Sequence, residues 1–233
     1  MIFNNIDFSE HFKILDIKKS LLPPIENSLY SIAGKHGAML KNSVLKPKVI
    51  EVKIEFKGKA NFEDKIRELG SLLYTKELSK LFLPNSDKYY LAKLDGDTDL
   101  DKFLYYGVTK LKFIIPDPLA YGDVINTAFN NSTILLNNGT WETRGIITVE
   151  ISEPIDYLEV GLKETGESIY LGHDFIVGDI VTIDLIEEVA YKNGYSIMED
   201  CFLESDFFDI PKGEFSITLN SGSGNIEFIE RWL

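Results

Sequence analysis

Cysteine is nearly absent: Cys201 is the single thiol in 233 residues. No internal disulfide can form, and nothing marks the cross-linked scaffold of a small secreted domain. Long apolar runs are missing too. No stretch of about 18 apolar residues occurs, and Met1–Lys19 lacks the basic start and unbroken apolar segment of a secretory signal. A membrane-spanning helix is excluded, and the expected place of synthesis is a reducing cytoplasm. The N-x-S/T sequons at Asn130, Asn131 and Asn138 are then only loop composition. Histidine is confined to His11, His36 and His173, none in a ligand spacing such as H-E-x-x-H, so no metal centre is expected. A G-x-S-x-G elbow and a G-x-x-x-x-G-K-[ST] phosphate cradle are both lacking. The glycine-rich "AGKHGA" and "NSGSGN" read instead as turns, where glycine supplies positive φ. No cofactor is expected.

Basic side chains are scarce in one half only. Residues 1–122 carry 19 Lys and Arg against 16 Asp and Glu, whereas residues 123–233 carry 5 against 21, within a net charge of −13. Halves with such different electrostatics suggest two domains. The acidic half would repel a phosphate backbone and the other shows no basic stripe, which argues against sequence-specific nucleic-acid binding. With 44% hydrophobic and 12% aromatic residues the composition is that of a globular protein, long enough to bury a core without staples.

What is abundant is alternation. In "VIEVKIEFK", residues 49–57, Ile50, Val52, Ile54 and Phe56 point one way while Glu51, Lys53, Glu55 and Lys57 point the other. That pattern describes a strand with one buried and one wet face. Phe62, Ile66, Leu69 and Leu73 then change the period to that of a helix over about residues 62–74, with Asn61 as N-cap. "KLFLPNSDKYYLAKL" reads as a hairpin turning at Pro84–Asp87. Leu111, Phe113 and Ile115 form a strand face that Pro116 and Pro118 terminate. The polar stretch 123–139 reads as a lightly packed linker. Beyond it, sets such as Ile147/Val149/Ile151 and Val181/Ile183/Leu185, with Asn193-Gly194 as a type I′ hairpin turn, give about eight short strands. An antiparallel sandwich over residues 140–233 follows, with Trp232 expected in its core alongside Ile226 and Phe228.

Two patches invite a chemical reading. "LDGDTDLDKF", Leu94–Phe103, offers Asp95, Asp97 and Asp99 at positions 1, 3 and 5 of a calcium loop, but Leu100 replaces the glycine at 6 and Tyr106 the glutamate at 12. The run reads better as a solvated connection between strands. Trp141, beside "NNGT", could offer an exposed ring to a sugar, with packing at the domain joint as the plainer account. A sandwich hydrolase stays open, because two catalytic carboxylates need only face each other in space.

The order of "FKILDIKKSLLPPIEN", "IAGKHGA", "KPKVIEVKIEFKG", "DKYYLAKLDGDTDLDKF" and "FIIPDPLAYG" resembles the N-terminal domain of the distal tail protein family of long-tailed bacteriophages. "NNGTWETRGIITVEI", "GDIVTIDL", "YKNGYSI", "FFDIPKGEFSITL" and the terminal "ERWL" are similar to that family's C-terminal domain. The resemblance spans essentially the whole chain. It implies a mainly β protein with one α-helix: a tail-tube-like β-sandwich or barrel with a packed helix over residues 1–122, a linker at 123–139, and a galectin-like antiparallel β-sandwich over 140–233. It also implies a virion structural protein without catalysis, forming a hexameric ring at the tail tip around a channel for DNA. Its partners would be other copies of itself, the tail tube protein and a tail-associated hub or lysin protein, with no membrane. On this reading Glu51, Lys53, Glu55 and Lys57 lie at the channel or the subunit contact, and the acidic run is no metal site. The alternative is a carbohydrate-binding accessory protein using Trp141.

Overall fold

Alternating side chains become a two-faced strand wherever one face can be covered. A computed structural model of the chain describes residues 1–56, 62–96, 108–131 and 133–233 and divides it into two units, Met1–Ala120 and Tyr121–Trp232. The first unit comprises β1 (Ile2–Phe3), β2 (Ile6–Asp7), β3 (Phe12–Lys19), β4 (Ile25–Tyr30), β5 (Met39–Leu45), β6 (Lys48–Phe56), α1 (Phe62–Leu73), β7 (Ser79–Phe82), β8 (Tyr89–Leu94) and β9 (Val108–Ile115). Seven of its strands run in one antiparallel path, β2-β1-β7-β8-β9-β6-β3.

Ile50, Val52 and Ile54 of β6 are fully buried, as are Phe113 and Ile115 of β9, and Leu69 and Leu73 of α1 close over the same core. Complete burial of one such side chain contributes about 1.5–3 kcal/mol, against roughly 0.2–1 kcal/mol for a cross-strand pair on the wet face. The apolar face therefore sets the register, since a slip of one residue would turn it to water. The expected Asn61 cap lies outside the described residues. The hairpin turn appears as foreseen between β7 and β8, with Asn85 at φ 60°.

β4 and β5 stand apart. They pair only with each other among the described strands, and every residue from Pro24 to Val44 is exposed.

The second unit comprises β10 (Ala120–Phe129), β11 (Leu135–Asn137), β12 (Gly145–Glu150), β13 (Leu158–Leu162), β14 (Ser168–Leu171), β15 (Ile180–Asp184), β16 (Val189–Lys192), β17 (Tyr195–Ser196), β18 (Gly213–Phe215), β19 (Ile217–Leu219) and β20 (Ser223–Trp232), with one 3₁₀ turn at Met198–Asp200. One sheet runs β17-β16-β15-β12-β20-β10 and another β14-β13-β19, while β11 pairs with β18. Ile147, Val149, Val181 and Ile183 from the first sheet and Val160, Ile169 and Ile217 from the second share a single core, which makes a two-layer sandwich. A strand of three residues such as β11 is too short to register as alternation, hence more strands than the eight expected.

Two expectations fail here. Residues 123–129, read as linker, complete β10, and Phe129 and Leu135 are core residues. The polar composition misleads because β10 exposes five of residues 123–129. Its place is held by polar cross-strand bonds, with Asn126 Nδ2 donating to Glu227 Oε2 at 3.1 Å and Asn225 Nδ2 to Asn126 Oδ1 at 2.8 Å. Trp232 is only half-buried against Gly122, although Ile226 and Phe228 are buried.

Asn193 and Gly194 both adopt positive φ, 49° and 84°, as a type I′ turn requires. The turn is locked by Asp179, which accepts from the Ile176 N–H at 2.9 Å and the Asn193 amide at 2.8 Å and pairs with Lys192 at 3.0 Å. The Ile176 and Asn193 bonds, then the Lys192 charge, hold the Asp179 carboxyl down at about 2. A carboxylate whose folded value lies below its unfolded value stabilises the fold fully above the ordinary carboxylate range, and loses that contribution as pH falls through about 2. Asp179→Ala is expected to lower the urea midpoint at pH 7, with the gap to wild type narrowing below pH 4 and closing near pH 2; a gap independent of pH would contradict this account.

Candidate assembly surfaces

The wet face of the β3-β6-β9 sheet is ordered by register. Glu55 stands opposite Lys13, Lys53 opposite Asp16 and Lys110, and Glu51 opposite Lys18 and Lys112. Directly opposed residues share a face, so these charges form rows across three strands. Asp16, Lys18, Glu51, Lys53 and Lys110 line a depression of about 170 Å³. Among the described residues none of Glu51, Lys53 and Glu55 closes an ion pair within 4 Å. The structure thus brings Glu51, Lys53 and Glu55 together with charges that sequence reading missed, because those sit on strands distant in sequence. Lys57 lies outside the described residues.

The acidic run is described only at its start, where Asp95 faces Lys112 Nζ at 3.5 Å; Asp97 and Asp99 lie outside. His11 packs its ring on Phe8, and His173 Nδ1 lies 2.8 Å from Asp200 Oδ2, each in a separate surrounding. Among the described residues no three His, Cys, Asp or Glu side chains are grouped to hold a metal.

Trp141 is half-buried, and its backbone N–H donates to the Arg231 carbonyl at 3.1 Å. Around it Asn137, only 1% exposed, donates to the carbonyls of Trp141 and Pro211 and accepts from the Gly139 N–H at 3.0 Å. A Cβ at Gly139 would meet the Arg231 carbonyl oxygen at 2.6 Å, so only glycine fits this approach. Glu230, buried in phase with Ile226 and Phe228, accepts from both the backbone N–H and the side-chain amide of Asn138, at 3.1 and 2.8 Å. The segment around Trp141 is therefore a polar lock between β20 and its neighbours. The alternation alone would have placed an apolar residue at 230.

Lys48 was not singled out from sequence either. It is buried at the start of β6 with its ammonium 5.4 Å from the Tyr90 ring centre. Burial, and then the charge of Lys19, lowers its pKa, while burial raises that of Tyr90.

The chain matches two family models in succession: a phage tail protein RIFT-related domain over residues 6–115 and the C-terminal domain of a siphovirus-type tail component over residues 138–232. It is similar to the distal tail protein of Bacillus phage SPP1, with 23% identity over 241 aligned residues covering 100% of this chain and 95% of that protein. The crystal structure of the SPP1 Dit protein, described as a paradigm of the hub adsorption apparatus in phages infecting Gram-positive bacteria, superposes with a TM-score of 0.82. That match has 20% identity and covers 100% of this chain and 98% of the other.

Removing the Glu230 acceptor strands two donors at Asn138. Glu230→Ala is expected to cost about 1–3 kcal/mol in chemical denaturation, and Glu230→Gln, which keeps one acceptor oxygen, clearly less. Equal losses for the two variants would show that the hydrogen bonds are not what Glu230 provides.

Proposed function

We propose a structural function for this chain, which belongs to the distal tail protein family of siphovirus-type tail components. Its place is the phage tail, where it assembles with other tail proteins. In finer terms, six copies close a ring at the tail tip around a channel for DNA. The ring joins the last tail-tube layer to the hub or lysin protein beyond it, and the chain performs no catalysis. The observation that carries this reading is the succession of both tail-component domains, 6–115 and 138–232, across one chain matched from end to end by a distal tail protein.

The charged face of β3-β6-β9 supports it. Glu51, Lys53 and Glu55, which close no ion pair among the described residues, suit a surface that meets either hydrated DNA or an adjoining subunit, and they expose no apolar patch. In a cyclic ring such a contact is heterologous, one patch meeting a different patch on the next copy until the circle closes. Trp141, half-buried and bridged to Arg231, favours packing over sugar binding.

Light scattering of the purified chain, with mass spectrometry of tail particles, is expected to give a six-copy mass and to find the chain in the particle. A chain that stays monomeric both alone and with its tail partners would overturn the ring. Neutralising Glu51, Lys53 and Glu55 together to Gln is expected to leave the melting temperature nearly unchanged, as substitutions outside the core usually do, while weakening assembly about tenfold or more. Unaltered assembly in that variant would remove these residues from the contact.

A further inference from the structure

Three charged side chains are buried among the described residues: Lys48 at 3% exposure, and Asp179 and Glu230 at 5% each. Asp179 is met by the Ile176 N–H, the Asn193 amide and the Lys192 ammonium, and Glu230 by both donors of Asn138. Lys48 differs from both. Among the described residues its ammonium makes no hydrogen bond and no ion pair; its neighbours are the Tyr90 ring, 5.4 Å to the centre, and a second cation, Lys19. A ring face offsets only part of what an ammonium loses on leaving water, and a like charge adds to the loss.

The strand pattern shows how the two lysines come together. Lys48 opens β6 two residues ahead of Ile50, so it takes the core-facing side of the strand, opposite Ile115, the last residue of β9. Lys19 ends β3 opposite Ile50 and is exposed. Both therefore sit at one end of the β3-β6-β9 sheet rather than in the middle of the core. A methionine or leucine at position 48 would occupy the same phase without stranding a charge, so folding alone does not call for lysine. A local rule broken with no gain inside the chain marks a site that serves something outside it.

We infer that Lys48, with Lys19 beside it, is a receptor for a carboxylate side chain that an adjoining tail subunit brings to this end of the sheet on assembly. The inference rests on the assembly reading above and names one of its contacts. Size selects the ligand: an ammonium on a residue only 3% exposed can be reached by the slim end of an Asp or Glu side chain, whereas a nucleic-acid phosphate arrives with backbone on both sides. The donor is a second copy of this chain, whose 37 acids exceed its 24 basic residues, or a different tail protein.

Zero-length coupling tests this directly, because a water-soluble carbodiimide joins an amine only to a carboxylate it touches. The reagent is applied to the purified full chain and to assembled tail particles, with isotope-labelled and unlabelled chains mixed, and the products are mapped by mass spectrometry. The expected result is an amide between Lys48 and an Asp or Glu of another subunit, and the sequence of the coupled peptide assigns the donor to a second copy or to a tail partner. Lys48→Met, which keeps the stem and removes the charge, is expected to keep its melting temperature and to assemble about tenfold or more weakly, as loss of one member of a buried charge pair does. No Lys48 product in either setting, a product confined to its own chain, or a Lys48→Met chain that assembles like the wild type overturns the receptor. Coupling reads the wild-type chain, so it decides the question even where Lys48→Met fails to fold. The two readings fail separately. A six-copy mass without Lys48 coupling leaves the ring and removes the receptor, whereas Lys48 coupled to another subunit in an assembly of fewer copies keeps the receptor and removes the ring.

Discussion

One-sided burial of β6 is the constraint on which the first unit depends. Ile50, Val52 and Ile54 are removed from water, together contributing several kcal/mol, while Glu51, Lys53 and Glu55 on the opposite face add little to folding. This division fixes register and also frees the wet face. Its charges can be selected for what they meet outside the chain, because the apolar side already decides where each strand sits. The same imbalance explains why opposed charges such as Lys18 and Glu51 can stand across from each other without closing.

The second unit uses the same rule and adds polar locks where the chain leaves the sheets. Asp179 gathers a loop N–H, a turn amide and an ammonium. Arg144 reaches Asp209 at 2.5 Å and Glu188 at 2.7 Å, and Glu230 holds the turn at Asn138. Asp179, Arg144 and Glu230 each have defined partners, which is what lets an irregular segment stay in one conformation. A sandwich stabilised in this way presents loops of fixed shape, a useful property in a part that must fit others.

What the sequence reveals follows the same division. β6, β9 and α1 are legible because one face is apolar at a fixed period, and Asn193-Gly194 because positive φ at two successive residues demands such a pair. β10 is not, since its exposed side chains carry no alternation and its partner β20 lies about a hundred residues away. Trp232 breaks phase at the end of a strand whose earlier residues keep it, and Glu230 occupies a core phase that period alone assigns to an apolar side chain. Half of the charged face was visible on β6. The other half, Asp16, Lys18 and Lys110, needed the register of β3 and β9, which no local pattern contains.

The net charge of −13 bears on the proposed contact between copies. At physiological ionic strength charges separated by more than about 8 Å scarcely interact, so the bulk repulsion between copies is weak and the charges within the contact decide. A contact built from two acidic patches would be costly at close range, where water is displaced and screening fails. In the proposed contact between copies, lysines placed where the copies touch would avoid that cost. Lysines do concentrate in the first unit, on the wet face of β3-β6-β9 and along the exposed ribbon, while the second unit keeps almost none. Under the proposed ring, the uneven charge of the two halves is a separation of labour in which one half carries the cations of the contact and the other most of the acids.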